Sequence, residues 1–414
     1  MTGDRSFLGK KGHVYLVLAV IATTLVQWFL VNSLLIFWLT GCRLLHDSAP
    51  RTAVRRAFSS PSFLAFLAIF LLDVSGFLHT HDPQLVWLHV QQKATLVAIP
   101  FVITAGPFAD RAAFRRLLVA YCRLLAGLSG WCLVVALVHF TQTGDGQVFF
   151  YHSLTAALGI NAVFYSAYIL MGLLFLLSGD APAGTERAIL TVFFTTMMIL
   201  LASKLLMVLV VAVFAVYLWR YRLVMPCSRL LGLLVLVVLC TGTIAFTNNP
   251  VAGRYRAILP GEQQTEPGFN GVSLRLFIWR SAKAILNREH AWVCGISSGD
   301  SQDRLNQSYL DAGMSVGYLD YDFHNEYIEV LVDDGLLGLA MLFTAITVVF
   351  YASRRTMEAV LVMLVVGLLA GTESILEMQQ PLFLACFFPL LPWGLKPPVL
   401  AHRADPPTHG FMHK

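Results

Sequence analysis

Charge is what this sequence has least of. Only 13% of its 414 residues are Asp, Glu, Lys or Arg, against 57% hydrophobic, whereas a water-soluble domain carries about 25% charged and about 45–50% apolar residues. A soluble fold has no surface on which to place that excess, so bilayer lipid has to be the solvent. Cysteine is sparse and unpaired in pattern. There are seven, without a CxxC; Cys42, Cys122, Cys132, Cys227, Cys240 and Cys386 fall in or beside apolar runs, and Cys294 stands in a polar segment. That spacing indicates neither a disulfide framework nor a zinc site. An internal repeat is lacking too. No small-residue cleavage site ends the first apolar run, so Lys10-Lys11 leads into a retained span. The net charge of +5 is not a nucleic-acid signal, because Lys and Arg concentrate in short loops between apolar runs.

What is present is a succession of such runs, near 13–28, 30–45, 60–78, 85–104, 117–140, 153–177, 186–202, 204–219, 229–247, 325–351, 357–372 and 376–394. They predict an all-α polytopic membrane protein of about 12 transmembrane helices. Cations orient it. Arg5, Lys10 and Lys11 precede the first run, and Arg43, Arg51, Arg55 and Arg56 follow the second. Arg111, Arg115 and Arg116, then Arg187, then Arg220, Arg222 and Arg229, then Arg354 and Arg355, then Lys396 and Arg403 continue the alternation. All are assigned to the cytoplasmic side with both termini. The resulting division is 1–247 with nine spans, a large non-cytoplasmic loop 248–324, 325–394 with three spans, and a proline-rich cytoplasmic tail 395–414 expected to be disordered.

The loop opens on Pro250, Pro260 and Pro267 with Gly253, Gly261, Gly268 and Gly271, a turn-rich entry. Leu274, Phe277, Ile278, Ala282 and Ile285 then recur at helical spacing, which suits a helix lying on the membrane surface. Gly295 and Gly299 mark a turn before a second helical stretch near 301–312.

Chemistry concentrates where the loop re-enters the membrane, at Asp322-Phe323-His324-Asn325-Glu326-Tyr327. Asn325 or Asp322 can cap the next helix. Its N-terminus would favour an anion, with His324 beside it at the water–lipid boundary. The bland alternative is a capping cluster without chemistry. Arg254, Arg256, Arg275, Arg280, Lys283, Arg288 and Arg304 fall in the loop, and Lys204 sits at the outer end of a span. Cations on this side run against the positive-inside rule. They either bind phosphate oxygens or pair with Glu262, Glu266, Asp300, Asp303 or Asp311. Pairing is preferred for Lys283, Arg288 and Arg304, and an anionic ligand for Lys204, which has no acidic sequence neighbour.

Asp320-Tyr321-Asp322 has a D-x-D spacing, but two carboxylates without substrate phosphates read as an acidic rim, not a metal site. Asp73, Lys93, Arg123, Glu373 and Glu377 are placed within the bilayer, where charge is usually paired or functional; Asp73 and Lys93 are expected to pair. Asp333-Asp334 is expected to pair or face a cavity. Gly335-Leu336-Leu337-Gly338 reads as close helix packing.

These motifs resemble a known family. His324-Asn325-Glu326-Tyr327-Ile328 with Gly335-Leu336-Leu337-Gly338-Leu339 resembles the H-N-x-Y-[LI]…G-[LI]-x-G-L signature of the O-antigen ligase/polymerase family. Leu274-Arg275-Leu276-Phe277-Ile278-Trp279 is similar to its R-x-x-x-W element, and Gly295-Ile296-Ser297-Ser298-Gly299-Asp300 to its glycine turn. Ser203-Lys204 is similar to its Ser-Arg or Ser-Lys pair, and 372–377 to its penultimate turn. Ala291 stands where a proline is common, Ser297 replaces a frequent glycine, and Lys204 stands where many members have Arg.

The resemblance implies a C-type glycosyltransferase architecture in the bacterial inner membrane, with the large loop and active site facing the periplasm. It implies inverting, metal-independent transfer of a glycan from undecaprenyl pyrophosphate to a hydroxyl of lipid A-core, with no cofactor. Lys204 and Arg275 would hold the pyrophosphate, with Arg254, Arg256 and Arg280 assisting and Asn325 and Tyr327 touching substrate. His324 would act as general base. The rivals are a repeat-unit polymerase, using the same donor, and a lipid-linked sugar flippase. Transporters usually show repeats and helices broken at the midplane, so the gathering of polar residues in one loop favours the enzyme.

Overall fold

A computed structural model of the chain describes residues 10–46, 50–105, 111–178, 184–221, 232 and 271–391. Apart from Gly232, the expected span 229–247, the loop entry with Arg254 and Arg256, Cys227, Cys240 and the tail 395–414 lie outside the described residues. Among the described residues there is no strand.

The helices are α1 (Lys10–Leu25), α2 (Phe29–His46), α3 (Pro50–Phe58), α4 (Pro61–Ser75), α5 (Pro83–Lys93), α6 (Thr95–Thr104), α7 (Arg111–Thr143) and α8 (Tyr151–Thr155). They continue with α9 (Ala162–Leu177), α10 (Thr185–Leu201), α11 (Lys204–Tyr221), α12 (Gly271–Arg288), α13 (Ser301–Asp311), α14 (Glu326–Ser353), α15 (Met357–Ala370) and α16 (Gln379–Phe387). Local signals start many of them. Asp82 accepts from the backbone N–H of Gln84 and Leu85 ahead of Pro83, Asn161 caps α9, and Thr356 caps α15.

Four helical stretches are long and apolar enough to cross a bilayer: Pro61–Leu78, Pro83–Thr104, Ala112–Thr143 and Glu326–Ser353. Tyr151–Leu158 and Ala162–Leu177 form a fifth as a pair bent by 82°, and Gly12–Leu25, Phe29–Leu44 and Met357–Ala370 are shorter apolar helices. With Leu30, Phe37, Leu78 and Trp219 exposed where only lipid suits them, the chain is a helical membrane protein. Helix α9 is its axis. Nearly every residue is buried, and α7, α10, α11, α15 and α16 pack around it.

Three expectations change. The run 376–394 does not form one spanning helix. Its helix α16 has nine residues, about 14 Å at 1.5 Å per residue, and gives way to a 3₁₀ turn containing Pro389. The run 153–177 is bent at 156–161, where Gly159 takes φ 71. The apolar face of α12 does not rest on a membrane surface. Leu274, Ile278, Ala282 and Ile285 pack instead on Leu305 and Tyr309 of α13, with Phe323 and Val332, as the loop's own small core.

Side-chain and backbone contacts gather several turns at one end of the molecule. Gln27 Nε2 donates to Gly159 O, Ser297 Oγ to Gly76 O at 3.2 Å, and the His81 N–H to Asp300 at 2.9 Å. Gln92 Nε2 donates to Glu377 O, and Asn325 Nδ2 to Gly371 O at 2.9 Å. The candidate site lies there.

Candidate active site

The site is built around a break in α14. Gly335 has φ 67 and ψ −163 inside the helix, a backbone region open essentially only to glycine. The segment 292–297 enters the gap and takes up the freed hydrogen bonds. The N–H groups of Ile296 and Ser297 donate to Val332 O and Asp333 O at 2.9 and 2.8 Å, and that of Leu336 to Trp292 O at 2.8 Å. A Cβ on Gly335 would lie 2.3 Å from the Val293 carbonyl, and one on Gly295 2.2 Å from Asp333 O. The Gly335-Leu336-Leu337-Gly338 run is therefore mainly a crossing point for the loop; only Gly338, facing Leu72, serves helix packing. Ser297, where the resemblance expects glycine, has φ 80, which explains that preference.

The loop so anchored sets the motif before α14. Asn325 is the cap, its Oδ1 accepting from the N–H groups of Tyr327 and Ile328 at 3.0 and 3.2 Å. Those donors are thereby spent, and Glu326 and Glu329 put acid in the first turn. The helix end is thus not the open phosphate perch that the sequence implied. Tyr327 Oη donates to Gly367 O at 2.8 Å and its ring stacks on Phe343. Asn325 thus holds the α15–α16 connection, and Tyr327 the last turn of α15, against the start of α14. Glu326 accepts from the Leu376 N–H at 2.8 Å, and Glu329 from Ser374 Oγ at 2.6 Å, fastening the same connection.

That connection carries Glu373, the residue that unites the site. Arg275 donates through Nη2 to Glu373 Oε1 at 2.8 Å and to Thr372 O at 2.9 Å. His324 Nδ1 lies 3.0 Å from Asp322 Oδ1 and 3.7 Å from Glu373 Oε2. One helical turn beyond Arg275, Trp279 Nε1 donates to Phe323 O at 3.2 Å, steadying the residue before His324. The R-x-x-x-W spacing puts both side chains on one face of α12. His324 itself has φ 49, a left-handed conformation unusual outside glycine. Burial lowers its pKa, but the two carboxylates more than reverse this and raise it to about 9.

Lys204 opens α11, half-buried beside buried Ser203, and Arg280 is exposed on α12. Arg288 and Arg304 do pair with acid, but with Glu289, at 3.4 and 3.5 Å, instead of the carboxylates named above. The D-x-D carboxylates part company: Asp320 accepts from Asn306 Nδ2 at 3.0 Å while Asp322 serves His324. Lys93 pairs with Asp73 at 2.6 Å, and with Glu377 at 2.7 Å as well. Arg123 faces out of the bundle and pairs with Glu186. Among the described residues, the carboxylates that could share a metal ion are Glu329, Asp333 and Glu377, with ligand atoms within 4.8 Å of one another. Glu329 and Glu377 already have protein partners, and Asp333 is buried.

Residues 189–343, from α10 into α14, match the family model for O-antigen ligase. Over this stretch the chain is similar to the O-antigen ligase family. The stretch contains Lys204, Arg275 and His324 and ends before Glu373, which the tertiary contacts attach to the site. That similarity supports a membrane glycosyltransferase of the O-antigen ligase/polymerase type, a family whose substrates are in general lipid-linked glycans. No curated protein matches the chain.

Proposed function

We propose that the chain is an O-antigen ligase acting at the periplasmic face of the bacterial inner membrane, with both termini in the cytoplasm. It transfers a glycan from undecaprenyl pyrophosphate to a hydroxyl of lipid A-core, with inversion and without a metal. The observation that carries this reading is the convergence of Arg275 and His324 on Glu373, at the start of the apolar helix α14 and beside an apolar slot. That slot is lined by Phe66, Ile69, Leu342, Ile346 and Met363 together with Tyr327 of the motif. It suits the polyprenyl chain.

His324 takes the proton of the acceptor hydroxyl at Nε2, since Nδ1 faces Asp322 and Glu373. The hydroxyl oxygen attacks the anomeric carbon from the face opposite the phosphate. The bond from that carbon to the phosphate oxygen breaks, and undecaprenyl pyrophosphate leaves with the electron pair. Arg275 and Lys204 neutralise the growing charge on the pyrophosphate. Arg280 assists from the outer face of α12, and Arg254 and Arg256 are assigned the same part from their sequence position. Asn325 and Tyr327 act by position, holding Glu373 in place.

The test is incubation of purified protein with undecaprenyl-pyrophosphoryl glycan, once with lipid A-core and once alone. Transfer to core, unaffected by EDTA, is the expected result. A ladder growing without core makes the chain a polymerase, and EDTA-sensitive activity restored by Mg²⁺ moves the chemistry to the carboxylates.

Replacing Arg275 or Lys204 by alanine should lower transfer by about 10²-fold, the scale of losing one stabiliser of transition-state charge. Lys204→Arg should retain substantial activity. Steady-state rates at matched protein levels decide it: near-normal turnover in both alanine variants places the pyrophosphate elsewhere.

A further inference from the structure

Beside the α15–α16 connection runs a groove of about 610 Å³ whose polar lining is almost wholly uncharged amide. Gln27 comes from the α1–α2 turn, Gln91 and Gln92 from α5, and Asn161, Gln379 and Gln380 from the starts of α9 and α16. Its charged member, Glu377, is already engaged by Lys93 at 2.7 Å and His89 at 2.9 Å. Among the described residues no Lys or Arg lines the groove, and the nearby Lys93 is already paired with Asp73 and Glu377, which does not suit a pyrophosphate.

Three of these amides are tied down by their nitrogens. Gln27 Nε2 donates to Gly159 O, Gln92 Nε2 to Glu377 O, and Gln379 Nε2 to Asn32 Oδ1 and Thr95 Oγ1 at 3.1 and 2.9 Å. Gln379 thereby spends both of its N–H donors and Gln27 and Gln92 one each, so the lining offers amide oxygens as acceptors with a few N–H donors, which suits a ligand rich in neutral hydroxyls. Phe29, Leu88 and Met378 add exposed apolar surface to the same lining. Hydroxyls for the oxygens and C–H faces for the apolar surface describe a sugar. Gln27 is also held at φ 57, a conformation that costs free energy in a non-glycine residue and tends to persist at ligand sites.

The groove is within reach of the chemistry. Glu377 lines it and follows Glu373 by four residues in one connection, a separation of at most about 14 Å along the chain. A pocket of this size is in the range that holds a small ligand, about 300–1,000 Å³.

Resting on the transfer reading, we infer that the amide groove is a glycan-binding subsite, holding the neutral sugar units next to the one that reacts at His324. Those units belong either to the donor's glycan or to the core acceptor, which offer the same hydroxyl chemistry.

The experiment is isothermal titration of the full-length protein in detergent with two lipid-free probes: oligosaccharide released from the O-antigen repeat, and released core oligosaccharide. Two variants keep the fold: Gln27→Gly, which suits φ 57, and Gln91→Ala, at an exposed position. Each should weaken binding of one probe by about 10-fold or more, the scale of a lost hydrogen bond or two. The matching substrate's KM should rise, with kcat much less changed. Loss with the repeat assigns the groove to the donor, and loss with the core assigns it to the acceptor. Unchanged binding of both probes in both variants overturns the subsite, as does a wild type that binds neither. Wild type that binds oligosaccharide through these glutamines but transfers nothing would remove the transfer reading and leave the subsite standing.

Discussion

Replacing His324 by alanine lowers glycan transfer by about 10²–10⁴-fold, the range of a lost general base, while donor binding survives. Arg275 keeps its hold on Glu373 and Thr372 in that variant, so the anion side of the site is left in place. The pH profile adds an independent reading. The histidine's pKa is raised to about 9, so at neutral pH most of it is imidazolium and only a small fraction can accept a proton. Transfer should therefore rise with pH, about tenfold per unit below that value, and level off above it. A rate that falls as pH passes through 9 would instead make His324 a cation that holds pyrophosphate. Full activity in the alanine variant would reduce it to a structural residue of the loop.

Gly335→Ala should be among the most damaging single methyl groups in the described structure. The residue sits at φ 67 and ψ −163, and the new Cβ would lie 2.3 Å from the Val293 backbone, which cannot rotate away as a side chain can. Strain of this kind costs about 1–3 kcal/mol and overpacking a similar amount, about 4 kcal/mol together. Gly144→Ala is the control, since it shares a positive φ of 71 but meets nothing within 4 Å. It should cost only the left-handed penalty, about 1–2 kcal/mol. Thermal unfolding in detergent with size-exclusion profiles compares the two. Equal melting behaviour would mean that the loop does not depend on the α14 break.

The break explains why one part of the site was hard to read in advance. Gly335-Leu336-Leu337-Gly338 fits helix packing as sequence, because a glycine pair in an apolar run usually lets helices approach. The event that matters is three-dimensional. Segment 292–297 donates into carbonyls that α14 leaves open, and nothing local to 335–338 encodes a partner some forty residues upstream. Glu373 was missed as a site residue for a similar cause. In sequence it is a charge inside an apolar stretch, 98 residues from Arg275. One signal was available: Arg275, Glu373 and His324 all fall in motifs of the same family resemblance, and a buried carboxylate needs cations near it.

What the amino-acid sequence determined by itself was the helical membrane class, the position of most helices, and the residues of the α12 and pre-α14 motifs. Those features rest on short-range physics: apolar runs long enough to leave water, prolines and caps that start helices, and a four-residue spacing that aligns Arg275 with Trp279. The tertiary structure decided which helices bend or stop short, that Asn325 and Tyr327 fasten the end of α15 and the turn after it, and that Glu373 stands between Arg275 and His324. It also decided that the amides of four separate segments line one groove. Charged and polar groups removed from water must find partners, and the identity of a partner depends on which distant segments packing brings together, a quantity that no local pattern carries.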